Sequence, residues 1–362
     1  MYDFKELKEL IEINSYTKNI KGVEKNAKIY MEKFKDLGYE TEVLESEEYA
    51  DHLYFKSPKT NGEKMLLLGH MDTVFPPGVF ESFKEDEEWI YGPGVCDMKG
   101  GNMVMIEALR KVKGKIKNID VLLVSDEEIG SDDSYRYTSK IASEYDYCLV
   151  FEAAGKNDEI VTARKGIGTF YIDIEGKAAH AGNHYTEGIN ANLEAAHKLI
   201  ALTNLTDLSK GTTVNVGRIE GGIGANTVSP KAHLAVEVRF TSVSERDRVL
   251  KSLHDIAHEP FVEGTKSSLG GRLQRDVMEE NEKQKAFIKR LENYTGVKIL
   301  TEKRGGGSDA NIAASSGCVT LDGFGPFGDG DHTVYERASK KSYIKRIGLV
   351  SKIFERFLED LN

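Results

Sequence analysis

Apolar and polar residues alternate in two different ways along this chain. Up to about residue 164, buried-looking runs alternate with helical repeats. Stretches 3–14 and 22–37 carry apolar side chains at helical spacing, and Gly38 is placed to stop the second. Residues 41–46 and 51–57 read as strands, and 64–70 as a buried one. A long loop from 76 to 93 holds a short strand near Trp89. Residues 100–113 and 134–144 predict helices, while 121–125 and 147–152 predict further buried strands. This order of strand and helix implies a doubly wound α/β sheet.

Beyond residue 164 the period changes. Residues 169–175, 212–220 and 233–241 alternate apolar and polar positions, as one-sided antiparallel strands do. Helical repeats at 189–202 and 244–257 lie between and after them, and a weaker last strand is expected near 261–268. This is the split βαβ plan of a ferredoxin-like α+β domain. A helix at 281–294, a glycine-rich loop at 305–307, a short helix at 308–316, a strand at 319–324 and a final helix at 342–361 return to the first regime. The expected organisation is one mixed-sheet domain, 1–164 and 276–362, interrupted by a smaller inserted domain at 165–275.

Charge and composition narrow the partners. With 40% apolar and 30% charged residues the chain is ordinary for a soluble globular protein. A formal net charge of −10 argues against nucleic acid or an anionic membrane as partner. No apolar stretch is long enough to span a bilayer, and the acidic amphipathic start lacks the pattern of a signal peptide. Cys96, Cys148 and Cys318 are an odd, scattered set, which points to a reducing cytoplasm.

The candidate chemistry sits where predicted strands end. His70 and Asp72 close one apolar run, Glu127 and Glu128 follow a second, and Glu152 ends a third. Asp97 lies in the glycine-flanked turn YGPGVCD, and His332 in GDGDHTVYE. Imidazoles and carboxylates are the ligands of borderline divalent ions such as zinc. Strand ends at one rim of an open α/β sheet are where such folds bind ligands. Each residue also has an ordinary reading. His70 could simply pair with Asp72, Asp97 could cap the next helix, residues 126–128 could be a solvated acidic turn, and His332 could be a surface histidine. Cys96, beside Asp97, is either a soft ligand or a buried small residue.

Taken in order, GHMDTV, GPGVCDMKGG, SDEEIGS, GKAAHAG, GGIGANTVSP, GGGSDANIAA and the late His332 resemble the dinuclear zinc hydrolases that include glutamate carboxypeptidase, aminoacylase, acetylornithine deacetylase and succinyl-diaminopimelate desuccinylase. The glutamate carboxypeptidase branch looks most similar. The resemblance implies a zinc-exopeptidase-like fold with the inserted domain as a lid through which a homodimer forms. It implies two zinc ions per chain, with cobalt or manganese as alternatives. His70 and Glu152 would hold one ion, Glu128 and His332 the other, and Asp97 would bridge them. Asp72 would orient His70. Glu127 would be the general base and acid for a hydroxide bridging the metals. His180 would polarise the scissile carbonyl, while Asn226, Arg239, Gly306 and Gly307 would hold the substrate. A cis peptide after Asp97 is a further family expectation. Asn311 stands where the desuccinylase branch carries Arg.

These expectations describe a cytoplasmic carboxypeptidase-type exopeptidase releasing an amino acid with a free carboxylate. The substrate would be a small peptide or an N-acyl amino acid. An N-acyl-amino-acid deacylase or a di- or tripeptidase is the alternative enzyme, and a non-catalytic peptide- or amino-acid-binding relative the alternative of another class.

Overall fold

The computed structural model describes residues 2–361. They form two compact units, one of residues 2–163, 280–304 and 308–361, the other of residues 164–279 with 305–307.

The first unit is built on a six-stranded sheet. Its spatial order is Glu40–Leu44, His52–Lys56, Ile119–Val124, Met65–His70, Tyr147–Val150 and Val319–Leu321. The first three strands pair antiparallel, and the last four run mutually parallel. MLLLGH and IDVLLV are buried at every position. A strand covered on both faces has no polar side to show, so it appears in sequence as an unbroken apolar run. Helix Lys99–Lys111 packs on helices Lys5–Ile11 and Lys340–Asp360, and Tyr135–Ala142 packs on Asp309–Ser315. His70 lies level with Val124, and Leu68 with Val150. Three adjacent parallel strands therefore release the chain at the same rim.

A second, four-stranded sheet in this unit orders Gly328–Asp329, Arg337–Ser339, Trp89–Tyr91 and Lys84–Glu85. The expected strand near Trp89 is one of these. Arg337 lies over the Trp89 ring at 4.0 Å and pairs with Asp329 at 2.7 Å. This sheet holds together the turn that carries Asp97 and the loop that carries His332.

The second unit is a four-stranded antiparallel sheet in the order Thr213–Gly221, Lys231–Phe240, Gly166–Glu175 and Lys266–Arg275, with helices Ala191–Thr203 and Val243–His258. The chain order is the β-α-β-β-α-β of a split βαβ fold. Ile172, Ile174, Leu234, Val236 and Val238 bury one face of the sheet. The last strand starts at Lys266 rather than near 261, and runs to Arg275. Gly270 and Gly271 sit at its centre, Gly271 at φ +88°, and the register slips between Leu273 and Arg275. Two glycines remove the side chains whose alternation would have revealed the strand.

Candidate metal centre

His70 ends its strand fully buried, and the chain fixes its ring from one side. Nδ1 lies 3.0 Å from the Asp72 carbonyl oxygen and 3.4 Å from Asp72 Oδ1. That leaves Nε2 facing the site, the arrangement that metal-binding imidazoles show. Asp72 is itself fully buried, and its Oδ2 accepts from the Thr17 hydroxyl at 2.7 Å and from Glu128 N at 3.2 Å. One carboxylate thus positions two of the candidate ligands. Asn102 Nδ2 donates to the His70 carbonyl at 2.6 Å, and a side chain on Gly69 would meet Asn102 Oδ1 at 2.2 Å.

Asp97 stands between the two histidines. Its Oδ1 lies 3.1 Å from His70 Nε2, and its Oδ2 lies 3.3 Å from His332 Nε2. His332 Nε2 is also 3.1 Å from Glu128 Oε2, and His70 Nε2 is 3.8 Å from Glu152 Oε1. His70, Asp97 and Glu128 each offer a ligand atom within 4.8 Å of the others. The Asp97–Met98 peptide is cis, and His332 takes a left-handed backbone at φ 59°. Outside glycine that conformation is costly and concentrates at functional sites. Glu127 begins the short 3-10 turn Glu127–Ile129 and is 9% exposed.

Burial against Asp97 pushes Glu128 and Glu152 far above the usual carboxylate range, and the charge of Glu127 adds to both. Burial opposes charge at Asp97 too, but hydrogen bonds from His332 and His70 outweigh it and hold that carboxyl low. His332 is pushed up to about 11 by Asp97 and then Glu128. Asp97, Glu128 and Glu152 crowd one space with the two imidazoles, and their like charges repel. Divalent cations would relieve that repulsion. The nitrogen and oxygen donors, each histidine with one nitrogen turned inward on Asp97, fit borderline ions of the zinc kind.

Cys96 takes no part in this cluster: its buried thiol lies 3.4 Å from Glu336 Oε1. The soft-ligand reading of that residue does not hold. Thr17 and Glu336 also touch the site's framework, through partners 55 residues or more away that no local pattern reveals.

A family model described as peptidase family M20/M25/M40 matches residues 66–356. The chain belongs to peptidase family M20. This family M20 chain is a metal-dependent hydrolase of peptide or amide bonds. A carboxypeptidase G2 from Pseudomonas sp. strain RS-16 is 29% identical over 342 residues, covering 91% of this chain and 82% of its own. An acetylornithine deacetylase from Vibrio parahaemolyticus is 33% identical over 227 residues, 57% of this chain and 58% of its own. A tripeptidase crystal structure from Staphylococcus aureus superposes with a TM-score of 0.79 at 25% identity over 98% of each chain.

The candidate substrate-binding residues His180, Asn226, Arg239, Gly306 and Gly307 belong to the second unit. His180 is exposed, and its Nδ1 accepts from Gly182 N at 3.1 Å and Asn183 N at 3.2 Å. In the neutral ring the proton is then on Nε2, which becomes a donor. Asn226 is its neighbour, since His180 bridges Thr227 and the Asn226 carbonyl accepts from Ala181 N at 2.9 Å. Arg239 is already engaged. Its Nε lies 2.8 Å from Glu237 Oε1 and its Nη1 donates to the Gly305 carbonyl at 3.3 Å. Arg164 Nη1 donates to the Gly306 carbonyl at 3.1 Å, so two arginines hold the loop that contains Gly306 and Gly307. Asn311 is buried and caps its own helix by accepting from Ser308 N at 3.0 Å.

Proposed function

We propose that the chain is a carboxypeptidase-type exopeptidase with two zinc ions, His70 and Glu152 on one, Glu128 and His332 on the other, and Asp97 shared. The observation that carries this reading is Asp97, which presents a different oxygen to each imidazole. When bound, the cations would supply Lewis acidity, lowering the pKa of a water and polarising a carbonyl.

The chain's own groups divide the remaining work. Glu127 takes the proton of the attacking water and returns it to the leaving amine. It adjoins Glu128 on one short turn, so ligand and base come from neighbouring residues. His180 donates its Nε2 proton to the oxygen that gains negative charge. Asn226, Arg239 and the amides of Gly306 and Gly307 hold the substrate carboxylate, and an arginine fork suits that planar group. The Arg239–Glu237 pair would have to open for this.

The match to a carboxypeptidase over 91% of this chain and 82% of the relative's own length supports the carboxypeptidase assignment. The partial match to a deacetylase favours N-acyl amino acids as the second substrate class. We further propose a cytoplasmic homodimer. Three free buried cysteines suit a reducing compartment. The second unit, read as lid and dimerisation domain, exposes Leu193, Ile200 and Ile219 beside an edge strand, a surface another copy could cover.

The test is a zinc-loaded substrate panel of short peptides and N-acyl amino acids, run with wild type and Glu127→Gln. Release of C-terminal amino acids by wild type is expected, with a loss of about 10²–10⁴-fold in kcat for the variant at unchanged metal content. Normal turnover by Glu127→Gln, or release of N-terminal residues only, would overturn the reading.

A further inference from the structure

Glu336 is four places beyond His332 in sequence, on the loop joining strands Gly328–Asp329 and Arg337–Ser339. Its side chain is 1% exposed. Both of its oxygens are turned onto the segment that delivers Asp97. Oε2 accepts from Gly94 N at 2.9 Å, while Oε1 accepts from Cys96 N at 3.0 Å and from Asp97 N at 3.2 Å, with the Cys96 thiol at 3.4 Å. The Glu336 carbonyl also accepts from Gly92 N at 3.3 Å.

Three backbone amides of one short turn thus converge on a single buried carboxyl group, a concave arrangement of donors. Such a turn has no ladder to hold it. Without the carboxylate, its amides would be buried donors lacking partners. The same loop also supplies His332, whose Nε2 reaches Asp97 Oδ2. One segment therefore grips the shared aspartate at both ends, at its backbone nitrogen through Glu336 and at its carboxylate through His332.

We infer that Glu336 is a positioning residue that sets the place of Asp97 and so governs how tightly both cations are held. The inference rests on the two-cation reading above. A purely structural role is the competing account: a buried carboxyl group that satisfies three amides and supports the fold.

Zinc competition against a chromophoric chelator separates the two, with Glu336→Gln and Glu336→Ala compared with wild type. Glutamine keeps the shape and one acceptor but turns N–H groups toward an amide of the turn. The expected result is zinc affinity lowered by about 10–100-fold in Glu336→Gln, with kcat reduced at saturating zinc and KM within about twofold, as for a group acting only through Asp97. Thermal unfolding of the chelator-treated proteins supplies the control, and metal-free Glu336→Gln is expected to remain folded. Wild-type zinc affinity and kcat in Glu336→Gln would overturn the inference and leave the metal centre standing. So would a Glu336→Gln protein that is unfolded without metal, which would assign the carboxylate to the fold. Wild type that binds no zinc would instead remove the reading on which the inference depends.

Discussion

Gly101→Ala puts two effects of the same methyl group in opposition. Gly101 lies in the first turn of helix Lys99–Lys111, where alanine improves helix propensity by about 1 kcal/mol. The added carbon, however, would sit 1.9 Å from the carbonyl oxygen of Phe151. Real contacts of this kind are not found under 3.0 Å, so helix and strand end must separate by about 1 Å. Phe151 is fully buried and its amide is tied to Leu68 O at 3.1 Å, so the oxygen cannot swing aside. Overpacking of this order costs about 1–3 kcal/mol, which equals or exceeds the helical gain. The fold should survive, with unfolding of the metal-free protein lowered by up to about 4 °C. The chemical consequence is larger, because Phe151 adjoins Glu152, the proposed ligand, and ligand distances tolerate only about 0.2 Å. Zinc affinity, measured by chelator competition, should fall at least about tenfold. Gly348→Ala is the matched control: it lies in helix Lys340–Asp360 with nothing within 4 Å, and should stabilise by about 1 kcal/mol. Wild-type zinc affinity and unfolding temperature in Gly101→Ala would refute the close-approach argument.

Three further outcomes are expected. Asp72→Asn removes the charge that holds His70 and Glu128 N, so zinc affinity should drop about 10–100-fold, read by the same competition. His180→Ala should lower kcat by about 10²–10³-fold with zinc content unchanged by elemental mass spectrometry, since its proposed proton goes to substrate and not to metal. Glu245 is held down to about 2 by Arg248, with Thr212 and Lys210 adding, against 4.5 when unpaired. A folded pKa below the unfolded one stabilises above the unfolded value and is lost as pH falls through the folded value. Glu245→Gln should therefore cost up to about 3 kcal/mol near neutral pH, with the difference from wild type shrinking between pH 4.5 and about 2 in denaturant titrations.

Legibility in the sequence followed local physics. MLLLGH and IDVLLV are strands whose burial on both faces leaves an unbroken apolar run, and their ends carry His70, Glu127 and Glu128. Asp97 and His332 could be named from turn composition and family resemblance. That one lies against the other depends on a sheet joining Trp89–Tyr91 to Arg337–Ser339, which no local pattern reveals. Strand Lys266–Arg275 lies beyond the 261–268 that its sequence predicts, because two glycines break its alternation. Arg239 illustrates a different limit. Periodicity places it on a strand face but cannot say that Glu237, two residues earlier, already occupies its guanidinium. Thr17 and Glu336 act through partners 55 and 239 residues away, so their roles exist only in the folded chain.

The central claim is that Asp97 is shared between two cations. Elemental mass spectrometry of protein dialysed in dilute zinc tests it, with wild type beside Asp97→Ala. About two zinc ions per wild-type chain and well under one in the variant are expected, since loss of a shared ligand weakens both positions at once. A wild-type chain carrying no zinc, or an Asp97→Ala chain that keeps its full complement, would contradict it.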